Sequence, residues 1–286
     1  MKLGLVLEGG GMRGVFSAGV TDVMMENKIT FDRCVGVSAG AAFGCNYKSG
    51  QIGRVIRYNV RYCRDKRYCS IRSLIKTGDL FGAEFCYHTI PNELDLFDRE
   101  AFDNSDMEFY AVCTDTATGK PVYHLCEKAD DETMEWIRAS ASMPLVSKPV
   151  EIGGMKLLDG GISDSIPLEF MVKDGYEKNV VVLTQPRSYE KKKASSMGLI
   201  KLSLRKYPNT IRTIENRYKD YNLSREFVFE QERKGAALVI CPDEALPVGR
   251  VEHDPEKLRK TYEIGRKTAE KMLSKIKRFT ESEKEV

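Results

Sequence analysis

The first forty residues constrain the fold more than any other part of the chain. Leu3 to Leu7 is a continuous apolar run, the pattern of a parallel strand buried on both faces, and it feeds directly into Gly9-Gly10-Gly11-Met12-Arg13-Gly14. After the glycines, Val15, Phe16, Ala18, Gly19, Val20, Val23 and Met24 fall at helical spacing. Cys34, Val35 and Val37 then form a second short apolar strand that ends at Ser38. Strand, glycine loop, helix and strand make a βαβ unit, and its crossover places the C-terminal ends of both strands on one edge of the sheet. The order predicts an α/β fold around a mainly parallel sheet.

Two uses of the glycine loop must be separated. Gly9, Gly11 and Gly14 match the Gly-x-Gly-x-x-Gly fingerprint of dinucleotide sites. Such a site wants an acidic residue at the far end of the second strand to hold the ribose. Here Asp32 lies before that strand and the far end carries Ser38, which argues against a nucleotide cofactor. Gly36-Val37-Ser38-Ala39-Gly40 instead reads as Gly-x-Ser-x-Gly, a nucleophile elbow in which a serine stands on a sharp strand-to-helix turn. A turn that tight brings backbones together, and Gly36, Ala39 and Gly40 leave room for it. Backbone N–H groups at a helix N-terminus stabilise negative charge. The Gly9–Gly11 loop with Ala39 is therefore the candidate oxyanion hole, the amides of Gly10, Gly11 and Ala39 being its donors. Arg13 is expected to brace the loop.

The rest of the chain bounds the class. With 286 residues, 42% hydrophobic and 30% charged, it can bury a large core and is not a disordered chain. No shift in composition, linker or repeat marks a boundary, so one domain over 1–286 is expected. A net charge of +3 is too small to argue for nucleic acid. The N-terminal apolar run is too short for a secretory leader, and no run approaches the roughly 18 residues of a spanning helix. Eight scattered cysteines without a Cys-x-x-Cys pattern suit buried thiols in a reducing compartment. The expectation is a cytoplasmic protein with no metal and no cofactor.

Further along, Gln51 to Arg67 is expected to be helical, with Ile52, Val55, Ile56, Val60 and Cys63 on one face and Arg54, Arg57, Arg61 and Arg64 on another, a solvated stripe or a phosphate or membrane contact. Glu108 to Cys113 and Pro121 to Leu125 read as strands, and Glu132 to Ala141 as a helix carrying Trp136. Val150 to Leu158 forms two strands around a Gly153-Gly154 hairpin turn and delivers Asp159-Gly160-Gly161. Val180 to Thr184 and Ala237 to Cys241 are further buried strands. Between them, Arg187 to Lys219 holds ten Lys or Arg against two acids, interleaved with Met197, Leu199, Ile200, Leu202 and Leu204. It is either a solvated connection with one amphipathic helix or a lid that meets an anionic lipid surface. Pro255 to Phe279 is an amphipathic helix whose Leu258, Tyr262, Ile264, Ala269, Met272, Leu273 and Ile276 should cover the sheet, with a charged, frayed tail after it.

The glycine loop, Gly-x-Ser-x-Gly at Ser38 and Asp-Gly-Gly at Asp159, in that order after an N-terminal strand, resemble the patatin-like phospholipases. The segment Arg138 to Pro144 and the Gly153-Gly154 hairpin look similar too, so the resemblance spans about Leu3 to Val172. It implies a three-layer α/β/α sandwich, Ser38 as nucleophile, Asp159 as proton acceptor and hydrolysis of lipid esters, with 173–286 as a C-terminal extension. Glu8 stands where the family often has Asp, and Ser165 where many members have Asn, which could alter the support around Asp159. The expected protein is a serine acyl hydrolase of phospholipid or lysophospholipid esters in peripheral contact with membranes. A small-ester esterase, thioesterase or acyltransferase is the alternative, and a silent scaffold is disfavoured because Ser38, Asp159 and the glycines are all present. With His88, His124 and His253 the only histidines, a base that is a carboxylate rather than an imidazole is expected, and Ser140 and Ser142 are the next nucleophile candidates.

Overall fold

The computed structural model describes residues 2–281. An eight-stranded sheet forms its middle layer. Strand β1 (Leu3–Leu7), helix α1 (Gly14–Glu26), β2 (Arg33–Val37) and α2 (Ala39–Lys48) are the opening unit, with the short 3-10 turn Gly11–Arg13 before α1. Helices α3 (Arg54–Tyr62) and α4 (Ile71–Thr77), a π-helical stretch Phe85–Leu94 and α5 (Arg99–Asp103) lead to β3 (Glu108–Asp115) and β4 (Pro121–Leu125). Helix α6 (Asp131–Ser140), the hairpin β5 (Val150–Ile152) and β6 (Met155–Asp159), and α7 (Leu168–Lys173) follow. The chain closes with β7 (Lys178–Val182), α8 (Met197–Ser203), α9 (Pro208–Arg233), β8 (Ala237–Ile240) and α10 (Pro255–Glu281).

The strand order is β5-β6-β3-β2-β1-β7-β8, with β4 also on β3. Strands β3, β2, β1, β7 and β8 are parallel, β4 and β6 pair antiparallel with β3, and β5 pairs antiparallel with β6. Alternation along each strand feeds two cores. Leu5, Leu7, Cys34, Val180 and Leu238 pack on α1, α2 and α10, whereas Val6, Val35, Val181 and Val239 face α7 and α9. The result is the expected α/β/α sandwich.

One register detail places the site. Strand β2 pairs with β3 as far as Val37↔Val112, and β6 takes over from Cys113↔Asp159 onward. Because β4 pairs with Tyr110–Thr114 and so occupies the opposite edge of β3, β6 lies on the same edge as β2 and points at it. The C-terminal ends of β2 and β6 therefore meet head to head, which brings Ser38 to Asp159, 121 residues away in sequence.

Three expectations change. The helix expected over 51–67 is only α3, and its Arg54 is buried, with Nη2 donating 2.6 Å to the Asp95 carbonyl. Arg57 shares the Asp95 carboxylate, so this stripe is in part an internal ion-pair network rather than a solvated face, and Ile52 is exposed. Helix α10 lies mainly on α1 and α3 and touches the sheet at β8, because α1 already covers the centre of that face. The tail expected after it falls at 282–286, outside the described residues. Among the described residues, no helix is long and apolar enough to cross a membrane.

Candidate active site

Ser38 links β2 to α2 with φ 56 and ψ −122, a conformation that a non-glycine residue adopts only where its surroundings hold it there. Those surroundings are visible. A Cβ on Gly40 would stand 2.2 Å from the Leu7 carbonyl oxygen, and one on Gly36 would stand 2.5 Å from that of Gly40, so the elbow closes only with small residues. The Ser38 N–H donates to Ser140 Oγ at 2.9 Å, and that hydroxyl donates to the Val112 carbonyl at 2.6 Å. Ser140, fully buried, thus ties the elbow to β3 as a positioning residue; as a nucleophile candidate it has no access to the cavity. Ser142 bonds the Arg138 carbonyl, and its own carbonyl accepts the Asp159 N–H at 2.8 Å.

The Ser38 hydroxyl donates to Asp159 Oδ2 at 2.7 Å. Asp159 Oδ1 accepts the Gly161 N–H at 2.7 Å, and the Asp159 carbonyl accepts the Thr114 hydroxyl at 2.8 Å. Burial pushes the Asp159 carboxyl above its ordinary value, while Arg217, the Ser38 hydroxyl and the Gly161 N–H hold the rise in check. A carboxylate so placed accepts a proton more readily than one in water. Gly160 and Gly161 form the 3-10 turn after β6, and Ser165 donates to the Gly161 carbonyl at 2.8 Å, so serine provides the support that was in question.

The glycine loop sits against this pair. Gly9 packs on Ser38, its Cβ position 2.8 Å from the serine Cβ. The Gly10 N–H makes no hydrogen bond among the described residues. Gly11 and Ala39 head their helices, where first-turn N–H groups have no partner within the helix. Gly14 follows the 3-10 turn and starts α1, packed at its Cβ position 2.8 Å from the Ala39 Cβ. Glu8 is held by the Thr184 N–H at 2.6 Å and the Tyr221 hydroxyl at 2.6 Å. Arg13 lies beside Gly10 and its backbone N–H donates to the Gly10 carbonyl at 3.4 Å, but its side chain makes no hydrogen bond to the loop among the described residues, and its Nε is buried without a partner. The side chain meets the loop by contact, not by hydrogen bonding.

Two cavities open from Ser38. One, about 110 Å³, is lined by Met12, Phe43, Tyr58, Phe81, Phe97, Met134 and Ile137 among others and is largely apolar. The other, about 450 Å³, is bordered by the glycine loop, Asp159 and a group of cations: Arg13, Lys191, Lys192, Arg217 and Arg250. Of that group, sequence reasoning named only Arg13, as loop support, and missed the other four as site residues. Arg217 and Lys191 belong to the basic stretch, yet Arg217 turns inward from α9 to the Gly161 carbonyl, and Lys191 Nζ lies 4.2 Å from the Tyr221 ring centroid. Helical register, read with the fold known, would have separated Arg217 from its solvated neighbours; Lys191 lies in the loop before α8 and only the tertiary structure places it. None of the three histidines lines either cavity: His253 bonds the Cys63 carbonyl, His88 faces Glu135, and His124 stacks on Trp136.

Comparison with known proteins fits this geometry. Residues 5–172 match the family model described as patatin-like phospholipase, and residues 207–281 match one described as a domain of unknown function, DUF6363. Protein YjjU of Escherichia coli K12 is 30% identical over 278 residues, covering 93% of this chain and 75% of YjjU. The NTE family protein Rv2565 of Mycobacterium tuberculosis is 28% identical, covering 60% of this chain and 28% of its own length. Lysophospholipase nte1 of Aspergillus oryzae is 27% identical, covering 59% of this chain but only 11% of its own length. With the elbow, the glycine loop and the Asp-Gly-Gly turn all inside the matched region, the chain belongs to the patatin-like phospholipase family and is, at the level of that family, a hydrolase of lipid esters.

Proposed function

We propose that the protein is a serine acyl hydrolase that cleaves phospholipid or lysophospholipid carboxylic esters through a Ser38–Asp159 dyad. The observation that carries this reading is the 2.7 Å hydrogen bond from the Ser38 hydroxyl to a buried Asp159 carboxylate at the mouth of an apolar cavity. Asp159 takes the hydroxyl proton as Ser38 Oγ attacks the acyl carbonyl. The N–H groups of Gly10, Gly11 and Ala39 hold the oxyanion, and the apolar cavity holds the acyl chain. Collapse of the tetrahedral intermediate breaks the ester C–O bond, and the proton on Asp159 goes to the departing alcohol. Water, deprotonated by Asp159, then attacks the acyl-enzyme and releases the fatty acid.

The 173–281 segment completes the same domain, since β7 pairs with β1 and α9 borders the site. Leu199 and Leu202 of α8, 64% and 67% exposed, follow exposed Lys192 and Lys193 by a few residues, and together they serve as a contact with an anionic membrane surface. The test of the central reading is active-site labelling. A fluorophosphonate should label the wild type and not Ser38→Ala, and hydrolysis of a lysophospholipid should fall by about 10³-fold or more in that variant. A folded Ser38→Ala protein that still labels and turns over would end the proposal.

A further inference from the structure

The cation group in the larger cavity has no counterpart in the mechanism above. Arg13, Lys191, Arg217 and Arg250 line one space with Ser38 and Asp159. Elsewhere, buried Arg54 meets Asp95 and buried Arg33 meets Glu108 and Asp174, while buried Lys48 lies over the Phe102 ring and buried Arg225 donates to the Pro186 and Arg187 carbonyls. The four in the cavity form no ion pair with any carboxylate of the described residues. Glu8, which lines the same cavity, already accepts from Thr184 and Tyr221. Arg13 Nε is buried with no hydrogen-bond partner at all. Collecting unpaired cations in one cavity is unfavourable unless an anion enters it.

The cations also have fixed mounts. Arg217 is fastened to the Gly161 carbonyl, two residues from Asp159. The Lys191 backbone is clamped to α9 through Asn222, with Lys191 N–H to Asn222 Oδ1 at 2.9 Å and Asn222 Nδ2 to the Lys191 carbonyl at 3.1 Å. Arg250 lies against the glycine loop, its carbonyl accepting the Met12 N–H at 3.1 Å. Both cavities reach Ser38, so a bound ester with its acyl chain in the apolar one can direct its alcohol part into the cationic one.

We infer that Arg13, Lys191, Arg217 and Arg250 receive a phosphate monoester on the alcohol side of the scissile ester, so that the preferred substrates are acyl esters of glycerol phosphate rather than choline-bearing or neutral lipids. This rests on the acyl-hydrolase reading above. A dianionic phosphate a few bonds from the ester oxygen matches several forked or point cations in a small space. A quaternary ammonium would be repelled there, and a neutral glycerol would leave the cations unpaired. Burial, with Arg217 and Arg250 nearby, brings Lys191 down to about 7, so an arriving phosphate would restore its full charge.

The test compares three lipids of one acyl chain: acyl glycerol 3-phosphate, acyl glycerophosphocholine and monoacylglycerol. The wild type should favour the phosphate monoester in kcat/KM by about tenfold or more. Lys191→Met and Arg250→Gln should each reduce that preference by about tenfold, on the scale of a charge-assisted hydrogen bond, whereas Lys271→Gln, at an exposed position on α10, should keep it. In parallel, Ser38→Ala is titrated calorimetrically with glycerol 3-phosphate and with inorganic phosphate; glycerol 3-phosphate should bind, and Lys191→Met in the same background should weaken it. No preference in the wild type, or a preference that survives both substitutions, overturns the inference. Inorganic phosphate bound as tightly as glycerol 3-phosphate, without any preference among the lipids, assigns the cluster to the free anion and also overturns it. Glycerol 3-phosphate binding together with no hydrolysis of any lipid would uphold the anion site and sink the acyl-hydrolase reading instead.

Discussion

Two regions of the chain build one site by different rules. Residues 5–172 contribute Ser38, Asp159 and the glycine loop, each inside a short motif. Residues 173–281 contribute Lys191, Arg217, Tyr221 and Arg250, which border the same cavity and belong to no motif. The first group must hold backbone in rare shapes, such as Ser38 at φ 56, and few residue types permit that. The second supplies charge and bulk, which many residues at many positions could deliver. Chemistry that depends on turns leaves a signature in sequence; chemistry that depends on walls does not.

The contrast can be tested from its strong end to its weak one. Asp159→Asn should lower kcat by about 10²–10⁴-fold with the acyl-enzyme no longer forming at a normal rate, since the general base is gone. Its pH dependence is equally specific. The Asp159 carboxyl is raised in the folded protein, so the acid limb of kcat/KM in the wild type should lie above the ordinary carboxylate value of about 4. A folded-state pKa above the unfolded one means that the protonated group stabilises the fold at low pH and that this contribution is lost as pH rises through the raised pKa. Asp159→Asn should therefore melt higher than the wild type at neutral pH, with the gap narrowing in acid. An active variant, or one that melts lower at neutral pH, would break the assignment of Asp159 as a desolvated base.

A smaller loss is expected at the glycine loop. Gly11 has φ 59, and a Cβ there would stand 2.3 Å from the Arg250 carbonyl oxygen. Gly11→Ala should displace an oxyanion donor and reduce kcat by about 10²-fold, with KM little changed. Because the clash is with the later region, full turnover in this variant would show that the two regions are not coupled at the loop. The smallest effect belongs to the outer rim. Lys192→Gln with Lys193→Gln should weaken sedimentation with anionic vesicles by a few-fold, at about 1 kcal/mol or less per charge, and salt should weaken the wild type likewise. Vesicle binding indifferent to both would remove the membrane contact without touching the dyad.

The sequence by itself determined the elements around Ser38 and Asp159: an apolar run long enough for one buried strand, glycines where backbones collide, and a hairpin ending in Asp-Gly-Gly. These are local facts, set by sterics over a few residues. It also indicated a carboxylate base, because none of the three histidines stood in a suitable motif. It did not reveal Ser140 as the clamp on the elbow, because a buried serine at the end of α6 looks like any other until β3 and the Ser38 N–H are seen beside it. It misread Arg54 as part of a solvated face because its partner, Asp95, is 41 residues away. Lys191 and Arg217 were read as members of a basic stretch, and only the tertiary packing around α9 and the Gly161 turn brought them to the cavity that Ser38 also lines. The meeting of β2 and β6 on one edge of β3 was likewise a tertiary decision, since strand register depends on hydrogen bonds between segments that no local pattern encodes.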